Sequence, residues 1–177
     1  GQRLRAPDGL EMTLLRTAAA SRGHTLEMEW LVPVGRGLVA ADHLHPDGPE
    51  AWTVLEGSAG YRLDGRELSS QAPHEFVVPA GTSHCHPWNV CGSPLRVRQL
   101  IDSPDEPIPE IVGGVQGYFE TYFAFAQAGE VNEGGRIGGR LQDALTVNDL
   151  LLGGTYLAGP PRWLQRIGLG TAAALAR

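Results

Sequence analysis

His43-Leu44-His45-Pro46-Asp47-Gly48-Pro49-Glu50 is the stretch whose reading decides the fold. Residues two apart on a strand share a face, so the two imidazoles point together. Pro46-Asp47-Gly48-Pro49 is a turn sequence. It reverses the chain, and Glu50 then opens the next strand with its carboxylate able to return to the same point. Pro79-Ala80-Gly81-Thr82-Ser83-His84 repeats the arrangement, with a tight turn delivering His84 to the start of a strand. Three imidazoles and one carboxylate form a borderline-to-hard donor set. That set suits a divalent transition metal, Fe(II) first, with Mn, Ni, Co, Zn and Cu also fitting, and leaves up to two positions open in octahedral geometry.

Strand signals continue on both sides. Thr25–Val32 alternates Leu26, Met28 and Trp30 with Glu27 and Glu29, the pattern of a half-buried strand. Met12–Thr17, Leu38–His45, Ala51–Leu55 and Ala59–Leu63 read as further strands. Asp64-Gly65 is a hairpin signal before Arg66–Leu68. Phe76–Val78, His84–Asn89 and Leu95–Ile101 complete the series. Many short strands separated by Gly and Pro predict an all-β barrel or sandwich rather than an alternating β/α fold.

The pattern changes after Ile101. Ser103–Pro109 carries three prolines and several acids and reads as a linker. Ile111, Val112, Val115, Tyr118, Phe119, Tyr122, Phe123 and Ala126 recur at helical spacing. The Gly-rich run 129–139 reads as a loop. Leu141, Leu145 and Leu150–Leu152 indicate a second helix, and a third is expected to begin at Pro160-Pro161, since Pro is tolerated in a first turn. The expected organisation is a barrel over residues 1–103 and a helical C-terminal extension over 104–177, packed on the barrel or at a subunit interface.

The ligand motifs resemble those of the cupin superfamily. Gly37, His43, His45, Glu50 and Gly57 match every position of the first cupin motif, and Pro79, Gly81 and His84 match the second. Two positions depart: Pro73 stands where the second motif begins with Gly, and Asn89 falls one residue late, as a one-residue bulge in His84–Asn89 would produce. The resemblance covers about residues 25–101, and the whole is similar to small single-domain bacterial cupins with a helical C-terminal extension. It implies a double-stranded β-helix, or jelly roll, followed by two or three helices, with a metal held by His43, His45, Glu50 and His84. It also implies a reaction among those of its relatives, which include dioxygenases, decarboxylases, isomerases and cyclases. Some relatives use no metal.

Other residues are candidates for the same cavity. His86, two residues after His84, is a substitute ligand or a general base, and is placed here as the catalytic candidate. Trp52, Tyr61 and Trp88, with Phe76, are candidates to line an apolar pocket for a small organic molecule. Arg98, with Arg96, alternates with Val97, and a guanidinium on the inner face would clamp a carboxylate.

Composition narrows the partners. The net charge of -6 argues against nucleic acid, which needs a basic footprint. All 14 cationic side chains are Arg, which with abundant Gly, Ala and Pro points to a GC-rich bacterial coding sequence. Cys85 and Cys91 lack CxxC spacing and are expected as reduced thiols. With neither a leader pattern nor a membrane-length apolar run, a cytoplasmic protein is expected, and a homodimer. The function expected is a metal-dependent enzyme, an oxygenase or an isomerase/cyclase, acting on a small organic molecule. The alternatives are a ligand-binding or sensing protein, a metal-free cupin, and an assembly protein whose helices mediate association.

Overall fold

Strand β3 (Thr25–Val32) shows how the sequence builds the barrel. Leu26, Met28, Trp30 and Val32 are buried, while Glu27, Glu29 and Leu31 face outward. Its partner β10 (Leu95–Asp102) repeats the alternation, with Leu95, Val97, Gln99 and Ile101 inward. The strands are antiparallel, and Glu29 lies opposite Arg98. Charges on the outer face therefore form a cross-strand ladder, Arg98 with Glu27 at 3.6 Å and Arg96 with Glu29 at 3.7 Å. Exposed pairs of this kind add little stability, so the buried face carries the fold.

A computed structural model describes residues 1–37, 41–132, 137, 145–148, 150–151 and 153–176. The remaining strands are β1 (Arg3–Arg5), β2 (Glu11–Arg16), β4 (His43–Leu44), β5 (Glu50–Glu56), β6 (Ser58–Leu63), β7 (Arg66–Gln71), β8 (His74–Val78), β9 (His84–Asn89) and β11 (Tyr156–Leu157). Among the described residues, two helices have both ends defined, α1 (Pro109–Gln127) and α2 (Arg162–Ala176). Two antiparallel sheets enclose the core. One runs β1-β2-β3-β10-β5-β8, and the other β11-β4-β9-β6-β7. This is the expected all-β barrel with helices confined to the C-terminal part.

Several boundaries differ from expectation. The expected strand Leu38–His45 is formed at His43–Leu44, with Gly37 bridging separately to Trp88; residues 38–40 lie outside the described residues. β1 and β11 were not expected. Each is two or three residues long and held by pairing with a neighbour, which leaves no periodicity to read. The second expected helix is seen at residues 145–148 and 150–151, and the loop expected at 129–139 lies mostly outside the described residues.

α1 starts with Pro109 in its first turn, where the missing N–H costs no hydrogen bond. Its buried face, Ile111, Val112, Val115, Phe119, Tyr122, Phe123 and Ala126, joins one hydrophobic core with Met12, Met28, Trp30 and Trp52. Phe119 meets Trp30 edge to face, and Phe123 stacks near the same indole at 6.2 Å. The helix thus shares the barrel's own core. Among the described residues, no helix is long and apolar enough to cross a membrane.

Candidate metal centre

The turn before β9 shows how the backbone aims a ligand. Gly81 has φ +77°, a conformation costly for side chains other than glycine's, and its N–H donates to the carbonyl of His45 at 2.7 Å. That bond ties the second ligand turn to the first. His43 and His84 then face each other as direct cross-strand partners of β4 and β9. Glu50, the first residue of β5, reaches them from the other sheet.

The result is a buried cluster. One donor atom from each of His43, His45, Glu50 and His84 lies within 4.8 Å of all the others. Glu50 Oε2 is 3.3 Å from His45 Nε2 and 3.5 Å from His84 Nε2. His86 Nε2 lies 3.5 Å from Glu50 Oε1. None of these approaches has hydrogen-bond geometry: His45 Nε2, His84 Nε2 and both Glu50 oxygens are buried with no hydrogen-bond partner. Buried polar atoms are rarely left so, and a converging group of them has the form of a ligand set.

The other ring nitrogens explain the orientation. His43 Nδ1 donates to the carbonyl of Ala41 at 2.8 Å, and His84 Nδ1 to that of Thr82 at 3.0 Å. A carbonyl only accepts, so each Nδ1 carries the proton and each Nε2 is left with a lone pair. His45 Nδ1 is 3.1 Å from the Thr155 hydroxyl. The donor set and its supporting bonds fit a divalent transition metal.

The electrostatics agree. Burial would raise the pKa of Glu50, but His86, His45 and His84 hold it well below the usual carboxylate range, so the group is an anion. His43 is pushed well down, first by burial and then by the other imidazoles, and stays neutral. Burial opposes charge on His84 too, but Glu50 and the Thr82 carbonyl outweigh it and raise its pKa. His86 is lowered, mainly by burial.

The bulge in His84–Asn89 is present. β6 pairs Gly60 with Trp88 but Arg62 with Cys85, so one extra residue sits on β9 between them. His84, His86 and Pro87 are consequently all buried, while Cys85 and Trp88 are turned away. The late Asn89 closes the strand. Its amide donates to the carbonyls of Val32 and Ser93, and its oxygen accepts from the Cys91 N–H.

The candidate lining residues divide. Trp52 is buried with its ring 5.1 Å from that of His86. Phe76 is its cross-strand partner and therefore on the same face, and Tyr61 stacks flat on Phe76 at 3.9 Å. Trp52, Phe76 and Tyr61 thus form an apolar run leading from His86. Trp88 is a correction: it packs across Gly60 with Arg62 above its ring at 5.9 Å, on the side of β9 away from the imidazoles. Arg98 is a second correction. The alternation that buries Val97 and Gln99 turns it outward to Glu27 and Glu29, 43% exposed, so it cannot clamp a ligand inside.

Two contributors were missed. Phe119 of α1 lies 6.2 Å from His86, and Thr155 supports His45 from the C-terminal segment. Helical periodicity marked Phe119 as buried without saying against what. For Thr155 the neighbouring Gly153-Gly154 was the available signal, since paired glycines often mark a close backbone approach.

No protein-family model and no curated protein matches the sequence. Solved structures do. A Thermotoga maritima protein described as a predicted oxalate decarboxylase is 20% identical, with a TM-score of 0.50 over 57% of this chain and 90% of its own. A Klebsiella pneumoniae protein with a double-stranded β-helix domain is also 20% identical, at 0.45, over 59% of this chain and 80% of its own. KdgF from Halomonas is 15% identical, at 0.46, over 59% and 89% respectively. The molecule is a double-stranded β-helix with a buried His-and-carboxylate cluster between its sheets. Its fold is similar to that of the Thermotoga protein.

Proposed function

We propose that the chain is a metal-dependent cupin enzyme that moves a proton on a small, partly apolar organic acid or carbonyl compound, in the isomerase/cyclase class. The observation that carries this reading is His86. Both of its nitrogens are buried without a hydrogen-bond partner, whereas each of the three neighbouring imidazoles is tied through Nδ1. A tied imidazole is oriented to ligate, while an untied neutral one beside the same carboxylate is free to exchange a proton.

His43, His45, Glu50 and His84 hold the ion in this reading, with Fe(II) the first candidate among Mn, Ni, Co, Zn and Cu. A divalent ion there supplies Lewis acidity toward a substrate oxygen. The chain's own side chains do the rest. Trp52 and Phe76 receive the apolar part of the substrate and exclude water. A ring nitrogen of His86 takes a proton from the carbon next to the carbonyl, and the imidazolium is stabilised by Glu50. Returning the proton at another atom completes an isomerisation with no net oxidation. An isomerisation is proton transfer throughout, so an untied imidazole at the site favours this class.

Metal analysis of the protein purified without added metals tests the first part. Stoichiometric metal is expected, lost in His45→Ala. His86→Gln is expected to keep the metal and to lose at least ~10²-fold in turnover of an isomerisable β-dicarbonyl or hydroxy-acid panel substrate. Stoichiometric ligand binding without any product would make the protein a binding or sensing module. Oxygen consumption with those substrates would return it to the oxygenase class.

A further inference from the structure

His43 and His84 are steered by carbonyls only two residues away in their own chain segments. His45 is steered from 110 residues further along, by the Thr155 hydroxyl at 3.1 Å from Nδ1. Both side chains are buried, at 4% and 7% exposed. All four ligand candidates lie in the barrel, but one of their supports does not.

The segment that brings Thr155 to this place is anchored at both ends. Upstream, the Thr155 N–H donates to Leu150 O and the Gly154 N–H to Leu151 O. Downstream, Tyr156 and Leu157 pair with Leu44 and His43 of β4, and the Ala158 N–H donates to Asp42 O. Gln165 of α2 then closes the strap. Its amide accepts from the Leu157 N–H and donates to the carbonyls of Leu157 and Pro160, all within 3 Å. Where the strap crosses α1 there is no room for a side chain. A Cβ on Gly153 would lie 2.7 Å from Glu110 O and 3.1 Å from Gly114 Cα, and Gly154 has φ +79°. The two glycines set the depth at which Thr155 enters.

The support also differs in chemistry. A carbonyl can only accept and fixes the tautomer of its histidine, whereas a hydroxyl both donates and accepts. With Thr155 donating to Nδ1, the His45 Nε2–H faces Glu50; with Thr155 accepting, Nε2 presents a lone pair to an ion. His45 is thus the one ligand of the three whose tautomer follows the state of the site.

We propose that Thr155 is a positioning residue for the metal centre, holding His45 through Nδ1 so that metal affinity is set by docking of the strap 153–158. This rests on the metal-site reading above. By linkage the coupling is reciprocal: the metal tightens the strap as much as the strap tightens the metal.

The test uses the full chain and Co(II), with affinity read by competition against a chromophoric chelator. Thr155→Val keeps the shape and removes the hydroxyl, and is expected to bind Co(II) ~10–100-fold more weakly. Thr155→Ser restores the hydroxyl and is expected to recover the affinity. Gly153→Ala touches no ligand and is expected to weaken binding by lifting the strap from α1. In the unmodified chain Co(II) should slow amide exchange at Tyr156, Leu157 and Ala158, and in Thr155→Val it should not. Wild-type affinity in Thr155→Val, with Co(II) binding lost in His84→Ala, overturns the role of Thr155 and leaves the metal site standing. No Co(II) binding by the unmodified chain overturns both. If Thr155→Val fails to fold, Gly153→Ala decides: wild-type affinity there overturns the coupling.

Discussion

The rings of Trp30 and Phe119 meet edge to face, 4.7 Å between centroids and 73° between planes. One belongs to a barrel strand and the other to the helix after the barrel. An edge-to-face pair adds to the stability already gained by burying both rings. Phe119→Ala leaves a cavity against a fully buried indole and is expected to cost ~3–5 kcal/mol. Trp163→Ala, at a residue 62% exposed on α2, should stay within ~0.5 kcal/mol. Denaturant unfolding of the two variants checks this, and equal costs would mean that α1 is not part of the barrel's cooperative unit. The same contact predicts that deleting the chain after Pro104 yields an insoluble barrel rather than a monomeric one.

Asn89 ties the end of β9 to β3 and to the turn that follows: its amide donates to the carbonyls of Val32 and Ser93, and its oxygen accepts from the Cys91 N–H and thiol. Asn89→Ala strands the Cys91 N–H and the Val32 carbonyl, at about 1–3 kcal/mol for each group left buried and unpaired. Asn89→Asp keeps the acceptor and loses both donors, so it should not rescue. Thermal unfolding measures the cost, and faster exchange of the Cys91 amide would localise it.

Acid should destabilise the metal-free protein. His43 and Glu50 titrate lower in the folded chain than in the unfolded one, so the unfolded state binds more protons as the pH falls. The contribution of His43 is present above its ordinary value of 6.5 and lost below it; that of Glu50 is lost below 4.5. His84, raised, works in the opposite direction and offsets part of the loss. The expected record is a Tm in chelator that falls from pH 8 to pH 5, with a shallower fall in His43→Gln. A Tm that rises on acidification would contradict the burial of a neutral His43.

The two thiols should separate on alkylation. Neither is in a disulfide. Main-chain hydrogen bonds at Ser93 and Ser58 hold the Cys91 thiol below its usual value, while burial and the nearby Asp42 raise that of Cys85. The thiolate is the reactive form. A short iodoacetamide pulse at pH 8, read by peptide mass spectrometry, should label Cys91 first, and its rate should rise at a lower pH than that of Cys85. Equal labelling would remove the distinction.

Local pattern made much of the barrel and its cluster legible. His43, His45 and Glu50 are joined by strand alternation and a four-residue turn, and Gly81 marks the second turn. Alternation set His86 on the face of His84, and the extra residue before Asn89 foretold the bulge that follows it. Arg98 misled because alternation fixes two faces without saying which is inside. The answer was in the partner strand: Glu27 and Glu29 on β3 carry the complementary charge, so Arg96 and Arg98 belong on their side. Trp88 misled for a related reason, since the bulge shifts the face of every residue after His86. For Thr155 the adjacent Gly153-Gly154 signalled a close approach, but not to what, because its partner is set by pairing across 110 residues.

That separation also orders events during synthesis. The four ligand candidates leave the ribosome by residue 84, and strands β1 to β10 by residue 102, well before Thr155 exists. Domains fold as units while the chain emerges at roughly 5–20 residues per second. For several seconds, then, a nascent barrel holds His45 without its hydroxyl support and β4 without its outer neighbour. An ion that arrives in that interval meets an unfinished site, and one that arrives after release meets a finished one. If the strap 153–158 supports His45 as proposed, it acts as the clasp on a receptacle moulded earlier, and tight metal loading would wait for that clasp to close.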